Sequence, residues 1–385
     1  MKRLILLGAS GSIGQSTLTI IENSRNDFVL VGFSVGKQSN KIPVIINNHP
    51  SVKHIYLIDE VEAKKFAKKY PQITFYSGET GLETLVRTVD ADTVINALVG
   101  FVGLVPTVAA LESKKDVALA NKESLVVGGE LINELLKTTG QKLYPIDSEH
   151  VALAKCLAGQ KRENVKRLVL TASGGSFRHL TREQLAGVSV KDALKHPSWS
   201  MGAKITIDSA TMMNKGFEII EAHYLFNYPS EQIDILMHDQ SVVHSLVEFK
   251  DGSFLADLGP ADMKVPIAYA LYEGKREQSL IHESLDLNTL SSLTFHPFDA
   301  DRYPAVAFAR DALKYKGSYG TILNAANEVA VYAFLDGRLP FNQIEKIIGQ
   351  IIGKHGIIEK PTLDELVALD KEIRHETTLL IESLK

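Results

Sequence analysis

Two stretches of this 385-residue chain gather the side chains that chemistry needs. In PIDSEH, the residues Asp147, Ser148, Glu149 and His150 separate two apolar runs, and Asp147 and Glu149 have the i, i+2 spacing of two oxygen ligands at a strand-to-helix turn. Magnesium or manganese takes roughly one to three carboxylates plus water or substrate oxygens. The same residues also read as a helix start, with Asp147 or Ser148 as N-cap and Glu149 in the first turn, where negative charge suits the helix dipole. A third carboxylate would tilt the balance towards a metal, and SATMMNKGFEIIEAHYLF, residues 209 to 226, offers one. Read as a helix, it places Met213, Phe217, Ile220 and Tyr224 on one apolar stripe and Asn214, Glu218 and Glu221 on the other side, with Lys215 beside them. Ser209, Asn214 and Lys215 supply hydroxyl, amide and ammonium donors at a helix start, a combination that suits a phosphate. Gly216 inside that helix costs about 1 kcal/mol relative to alanine and so signals close packing or function. The bland alternative is a surface face with a Lys215–Glu218 pair worth only about 0.3 kcal/mol.

A third chemical feature opens the chain. GASGSIG follows the apolar run Leu4 to Leu7 and leads into QSTLTIIENS, whose Ile13, Thr17, Ile20 and Ile21 have helical spacing. Strand, glycine turn and helix start together form a cradle for a dinucleotide pyrophosphate. The spacing Gly8, Gly11, Gly14 is GxxGxxG, which departs from the commoner GxGxxG, and Ser10 and Ser12 add donors. The second strand ends in FSVGKQSN, with Lys37 where NAD-binding chains tend to carry an acid, and a cation there suits the 2′-phosphate of NADP.

The elements that must position these residues read off the hydrophobic pattern. Strands are expected at 3–8, 28–34, 54–58, 93–98, 117–120 and 142–146, alternating with helical patterns, the signature of βαβ units around a parallel sheet. From about 165 the pattern becomes α+β: VKRLVLTA and IDILMH read as strands, and SVVHSLVEFKDGSFLADLG as two strands joined at Asp251-Gly252 by a type I′ turn. Residues 173 to 204 hold a double glycine, little apolar periodicity and HPSWSMG, features of either a disordered segment or an active-site lid. The stretch around 285 to 304, with Pro297 and Pro304, reads as a connector. Beyond it Ile344, Ile347, Ile348, Ile351 and Ile352 have helical spacing, and Thr362 with Glu365 forms a capping box.

Composition narrows the class. A net charge of -4 gives no basic footprint for nucleic acid, and 45% hydrophobic with 23% charged residues suits a folded globular chain rather than a disordered or membrane-spanning one. The opening MKRLILLGAS has too short an apolar run for an export signal and reads as a strand. One cysteine, Cys156, allows no intrachain disulfide and sits on an apolar pattern, which suits the cytoplasm.

Taken in order, GASGSIG, ALANKESLV, PIDSEH, SGGSFR, HPSWSMG, SATMMNKGFEIIEA and NAANEVAV closely resemble the 1-deoxy-D-xylulose-5-phosphate reductoisomerase family over essentially the whole chain. The resemblance implies an NADP-dependent oxidoreductase with isomerase activity in the methylerythritol phosphate route of isoprene biosynthesis. It would rearrange 1-deoxy-D-xylulose 5-phosphate and reduce the product to 2-C-methyl-D-erythritol 4-phosphate with NADPH and Mg2+, Mn2+ or Co2+. By motif, the metal ligands are Asp147, Glu149 and Glu218. The catalytic set adds Lys122 and His196 to these three. Substrate would be bound by Lys122, Ser148, Glu149, Ser173, His196, Trp199, Ser209, Asn214, Lys215 and Glu218. Cofactor would be bound by Ser10, Gly11, Ser12, Ile13, Gly36, Lys37, Gln38, Asn121, Glu123 and Gly202. Trp199, Met201 and His196 would belong to the lid, where apolar side chains expel water. Ser10 stands where the family often has threonine, Gln38 where it has asparagine, and Ser176 where it has proline, the last loosening the start of the lid.

Pattern and resemblance together give the expected fold class, α/β. It comprises an N-terminal Rossmann-like NADPH-binding domain over 1–147 and a central α+β catalytic and dimerisation domain over 148–285, with a mobile lid at about 173–204. A connector over 286–304 and a C-terminal helical domain over 305–385 complete it. The partners are a small sugar phosphate and a second copy of the chain in a homodimer, with no nucleic acid and no membrane. Two readings from other classes stay open: a metal-independent NADP-dependent dehydrogenase whose acids only cap helices, and a non-catalytic NADPH-sensing protein.

Overall fold

The computed structural model describes residues 1–384 apart from 198, 200, 277–283, 287 and 289. The last nine of these fall in the expected boundary and connector region, and Ser198 and Ser200 in the HPSWSMG motif, so those expectations lie partly outside the described residues. By contacts the chain divides into two units: 1–124, 132–147 and 262–282 form the first, and 125–131, 148–261 and 283–385 the second.

The first unit is built on a seven-stranded parallel sheet of β1 (Lys2–Leu7), β2 (Phe28–Val35), β3 (His54–Leu57), β4 (Thr74–Tyr76), β5 (Thr93–Asn96), β6 (Asp116–Leu119) and β7 (Leu143–Pro145), in the order β4-β3-β2-β1-β5-β6-β7. The order reverses at β1, which creates the crevice at the carboxyl ends of β1 and β5 where parallel sheets bind ligands. Leu4 to Leu7 are wholly buried, as a strand covered on both faces requires. β4 was not anticipated; three residues at a sheet edge carry too little pattern.

Residues 262–276 fall in the first unit, ahead of the expected boundary at 285. Their helix Lys264–Leu271 buries Ile267, Ala268, Ala270 and Leu271 in the same core as Leu18, Phe28 and Leu30. Tyr272 packs edge-on against Phe28 at 4.9 Å and donates to Asp27 at 2.7 Å, and Lys2 pairs with Glu273 at 2.7 Å. A return over more than 200 residues is decided by core complementarity, which no local pattern announces.

The second unit holds a mixed sheet in the order β11-β10-β8-β9-β12, of β8 (Val165–Ala172), β9 (Ile233–His238), β10 (Val243–Phe249), β11 (Phe254–Leu258) and β12 (Phe295–Pro297). β12 lies in the expected connector and pairs with β9. The hairpin between β10 and β11 is not type I′: among positive-φ residues only Gly252, at +86°, belongs to it. Gly252 N–H donates to Phe249 O, and Phe249 N–H to Ser253 O, so the loop is a turn through Lys250 and Asp251 followed by a left-handed glycine.

Helices Ala305–Tyr315, Tyr319–Leu335, Ile344–Ile352 and Leu363–Glu382 follow. They cluster with this sheet in one unit rather than as a separate helical body. Ile344, Ile347, Ile348 and Ile351 are buried while Ile352 is half-buried, and the Thr362–Glu365 capping box forms. No helix among the described residues is long and apolar enough to cross a membrane.

Candidate active site

The glycine turn of the first unit is dictated by backbone clearance. Gly8 has φ +84°, and a methyl group on it would lie 2.5 Å from Ala97 O; one on Gly14 would lie 2.3 Å from Gly8 O. Only hydrogen fits at these positions, so the chain folds back tightly into the helix Ser12–Asn23. Among the described residues no side chain caps that helix, which leaves its first N–H groups and its dipole facing whatever binds there. Ser34 Oγ accepts from Gly8 N–H at 2.8 Å and Lys41 Nζ donates to Ser10 O at 2.8 Å. These two braces were not singled out from sequence, since only the fold brings β2 and its following turn beside the loop. Ser10 and Ile13 are half-buried, Gly11 and Ser12 exposed, and Gly36, Lys37 and Gln38 form an exposed turn after β2.

At the carboxyl ends of β6 and β7 lie Asn121, Lys122, Glu123 and Asp147. Asn121 is nearly buried: its amide donates to Leu98 O, Gly100 O and Glu123 Oε2 at 3.0, 2.9 and 3.1 Å, and its Oδ1 accepts from Ser124 N–H at 3.1 Å. The Glu123 carboxylate is thereby tied to the β5 loop. Lys122 Nζ binds Asp147 Oδ2 at 2.7 Å with both side chains largely out of water.

In the second unit, helix Ser148–Leu157 starts where predicted, so Asp147 immediately precedes it and Glu149 occupies its first turn. The 209–226 segment is not one helix. It breaks at Met212, a buried residue with φ +62°, between helices Ala203–Thr211 and Met213–Phe226. Left-handed backbone in a non-glycine residue costs on the order of 1–3 kcal/mol and persists only where packing enforces it. The break places Ser209 near the end of one helix and Asn214 and Lys215 at the start of the next.

The polar side of this segment is no surface: Lys215, Glu218 and Glu221 are all buried. Gly216 is explained by close packing, because a methyl group on it would meet Ala309 Cβ at 2.9 Å. Lys215 Nζ donates to Glu149 Oε1 at 2.8 Å and to Glu218 Oε2, and Asn214 donates to Glu218 Oε1. Burial alone would drive the ammonium towards neutrality, but Glu149 and Glu218 outweigh it and hold its pKa above the usual lysine value. His150 is buried and its Nε2 donates to Glu218 O at 2.9 Å, so it holds the helix turn that carries Glu218.

Ser173 and Ser209 both lie 3.2 Å from His196 Nε2, and Trp199 N–H donates to His196 Nδ1 at 2.9 Å. Nδ1 therefore accepts, and the proton of a neutral ring sits on Nε2, facing the two hydroxyls. Burial, helped by the Arg178 cation, pulls the His196 pKa down to about 4, so the ring is neutral at physiological pH. Gly174 and Gly175 have φ +80° and +68°, and Gly175 lets the SGG turn lie against Ser209 O and Ala210 while Gly174 faces Arg178 and Met237.

The expected lid over 173–204 divides. Phe177 and Leu185 are buried, Arg302 donates to Leu180 O and Phe177 O, and Arg182 pairs with Glu345 at 2.7 Å. Ser176, expected to loosen this start, donates to Ala193 O at 2.6 Å and ties it. Trp199 and Met201 are half-buried, and Gly202 is exposed at the start of Ala203–Thr211. His244, not singled out from sequence, has its ring 6.1 Å from that of Trp199.

Three family models match the chain: 1-deoxy-D-xylulose 5-phosphate reductoisomerase over residues 4–129, its C-terminal domain over 143–226, and the DXP reductoisomerase C-terminal domain over 258–376. The proteins of that name from Halalkalibacterium halodurans and Bacillus subtilis are 47% and 46% identical, each over 97% of this chain and 98% of theirs. The chain belongs to the 1-deoxy-D-xylulose 5-phosphate reductoisomerase family. A crystal structure of DOX-P reductoisomerase in complex with NADPH, fosmidomycin and magnesium is similar with a TM-score of 0.93 and 38% identity, over 100% of this chain and 99% of that one. The Zymomonas mobilis reductoisomerase in complex with NADPH is similar with a TM-score of 0.90 and 37% identity, over 99% of each chain.

Within this family member the second unit brings together Glu149, Asn214, Lys215 and Glu218, and separately Ser173, His196 and Ser209. Replacing Lys215 by methionine would take the ammonium away from buried Glu218 and half-buried Glu149. The ion-free protein should lose about 3–5 kcal/mol of stability, and added Mg2+ should raise its melting midpoint more than that of the unmodified protein. Calorimetry with and without Mg2+ checks both; an unchanged midpoint would show that the ammonium is dispensable.

Proposed function

We propose that this reductoisomerase family member uses NADPH and a divalent cation to rearrange and reduce 1-deoxy-D-xylulose 5-phosphate to 2-C-methyl-D-erythritol 4-phosphate, a step of isoprenoid precursor synthesis. The observation that carries it is the convergence of Glu149 and buried Glu218 on the Lys215 ammonium, which shows that their carboxylates approach closely enough to share a cation. Asp147 stands two residues before Glu149 in the chain, and together the three acids are the proposed metal ligands. Carboxylates alone, without thiolate or imidazole, suit Mg2+ or Mn2+, and Co2+ is the third ion of the proposal. The residues therefore fit the group.

When bound, the ion supplies Lewis-acid polarisation of substrate oxygens, and NADPH supplies hydride. The chain's own residues do the rest. Ser173, Ser209, Asn214 and Lys215 receive the phosphate, with neutral His196 offering its Nε2 proton as a further donor. Lys122 and Ser148 act on the carbon backbone of the substrate, and Lys122 carries a positive charge to where negative charge develops. Asn121 and Glu123 orient the nicotinamide half, with Gly202 beside it, and Trp199 and Met201 exclude water from the aldehyde. On the cofactor's other half, Ser10, Gly11, Ser12 and Ile13 offer N–H and hydroxyl donors to the pyrophosphate, while Gly36, Lys37 and Gln38 receive the 2′-phosphate.

The decisive assay follows NADPH absorbance with 1-deoxy-D-xylulose 5-phosphate. Absorbance should fall, chelator should stop the fall, and Mg2+, Mn2+ or Co2+ should restore it. Turnover insensitive to chelator would instead favour a metal-independent dehydrogenase, and NADPH binding without oxidation a sensor.

Lys37→Asp should lower the preference for NADPH over NADH by about tenfold or more, as loss of one charge-assisted phosphate contact implies. Equal kcat/KM ratios before and after would remove Lys37 from the 2′-phosphate site.

A homodimer is supported by β11, an edge strand on which Phe254, Leu255 and Leu258 are 50, 42 and 40% exposed. A cytoplasmic location is supported by the single, buried, reduced thiol of Cys156. Size-exclusion chromatography of the cytosolic fraction should recover the protein at twice the chain mass of 42.3 kDa; recovery at the chain mass, or in a membrane fraction, would overturn the corresponding reading.

A further inference from the structure

The NAANEVAV signature has no part in the site described so far. It lies in the helix Tyr319–Leu335, where Asn324 and Asn327 are wholly buried and Glu328 nearly so. Asparagine is a poor helix former, and a buried amide is costly unless bonded. What these side chains bond is therefore the reason to look for. Asn324 Nδ2 donates to Glu328 Oε1 at 2.9 Å, while Arg374 donates to Glu328 Oε2 at 2.7 Å and to Asp370 at 2.6 Å. That half of the signature ties its helix to Leu363–Glu382.

Asn327 makes a different connection. Its Nδ2 donates to Asp208 Oδ1 at 2.9 Å, and Asp208 Oδ2 receives Lys204 Nζ at 2.8 Å, one turn earlier on the helix Ala203–Thr211. Lys204, Asp208 and Asn327 are all buried. The Lys204 ammonium also lies 5.3 Å from the centroid of the Phe217 ring, on the helix Met213–Phe226. One polar staple thus grips three helices. Between the first two stands the left-handed Met212, a backbone conformation held only where the surroundings over-determine it. Ser209 directly follows Asp208, and Asn214 and Lys215 stand two and three residues after the bend at Met212.

We propose that Asn327 and Asp208 are positioning residues for the phosphate subsite: they hold the bend at Met212 and so fix the spacing of Ser209 against Asn214 and Lys215. This rests on the reading of those three residues as phosphate ligands. Neither Asn327 nor Asp208 touches substrate; each acts through the helix it holds. The C-terminal helices are then part of how the subsite is shaped, through the NAANEVAV signature.

The test compares the full-length enzyme with its Asn327→Leu variant, which removes the amide donor and keeps side-chain bulk. KM for the sugar phosphate should rise by about tenfold or more, with kcat at saturation and KM for NADPH changed by less than about twofold, the pattern expected when uniform binding to one subsite is lost. Inorganic phosphate should bind about tenfold more weakly, read by the fluorescence of Trp199, the single tryptophan of the chain, whose backbone N–H is bonded to the His196 ring that lies 3.2 Å from both Ser173 and Ser209. A lower melting midpoint with unchanged phosphate affinity and KM would mean that the staple only stabilises packing, and would overturn the proposal. So would parallel changes in both KM values and kcat. Should Asn327→Leu not fold, Asn327→Ser, too short to reach Asp208 as the amide does, gives the same reading. Phosphate titration of the unmodified protein is independent of turnover, so failure to oxidise NADPH with the sugar phosphate would count against the proposed function and leave the staple to be judged by phosphate affinity alone.

Discussion

Lys215 Nζ stands 2.8 Å from Glu149 Oε1 and also binds Glu218, with side-chain exposures of 5, 20 and 1% for the lysine and the two acids. Two carboxylates brought so close, one of them buried, repel one another by about 3 kcal/mol at an effective dielectric near 20, unless positive charge stands between them. The ammonium supplies that charge. Much else in the second unit keeps it there: Gly216 lets its helix approach Ala305–Tyr315, His150 fixes the Glu218 carbonyl, and Asn214 orients the Glu218 carboxylate. Under the proposed function, a metal ion there would satisfy the carboxylates and free the lysine for phosphate.

The first unit meets a different constraint by different means. Its cofactor loop depends on backbone clearance at Gly8 and Gly14 and on helix N–H groups left without a side-chain cap. Specific side chains act at the margins, Lys37 exposed beyond β2 and Asn121 with Glu123 buried beyond β6. Under the proposed function, a dinucleotide would be received largely by backbone, and discrimination would fall to a few residues whose neighbours the sheet order determines.

Legibility from sequence followed the range of the interaction. Most strands of the parallel sheet, the isoleucine-rich helix and the Thr362–Glu365 box express short-range periodicity or capping, and they appear within a residue or two of expectation. The break at Met212 was not legible, because helix propensity through SATMMNKGFE is continuous and packing against neighbouring helices imposes the bend. The return of 262–276 to the first unit, the pairing of β12 and the packed start of the expected lid all rest on partners far away in the chain. The hairpin turn failed for a subtler reason: Asp-Gly suits both a type I′ turn and a left-handed glycine after a type I turn, and strand register chooses between them.

The sequence by itself determined the chemistry on offer. Acids, donors and glycines in ordered motifs named the family and marked the glycine turn and the three carboxylates as candidates, because residue type and local spacing are properties of the chain alone. Tertiary structure decided what those groups experience. Burial turned Lys215, Glu149 and Glu218 from a weak surface pair into a coupled charge cluster, pulled the His196 pKa down to about 4, and joined Asn327 to Asp208 across 119 positions. Desolvation and long-range contact are properties of the packed chain, and no window of sequence contains them.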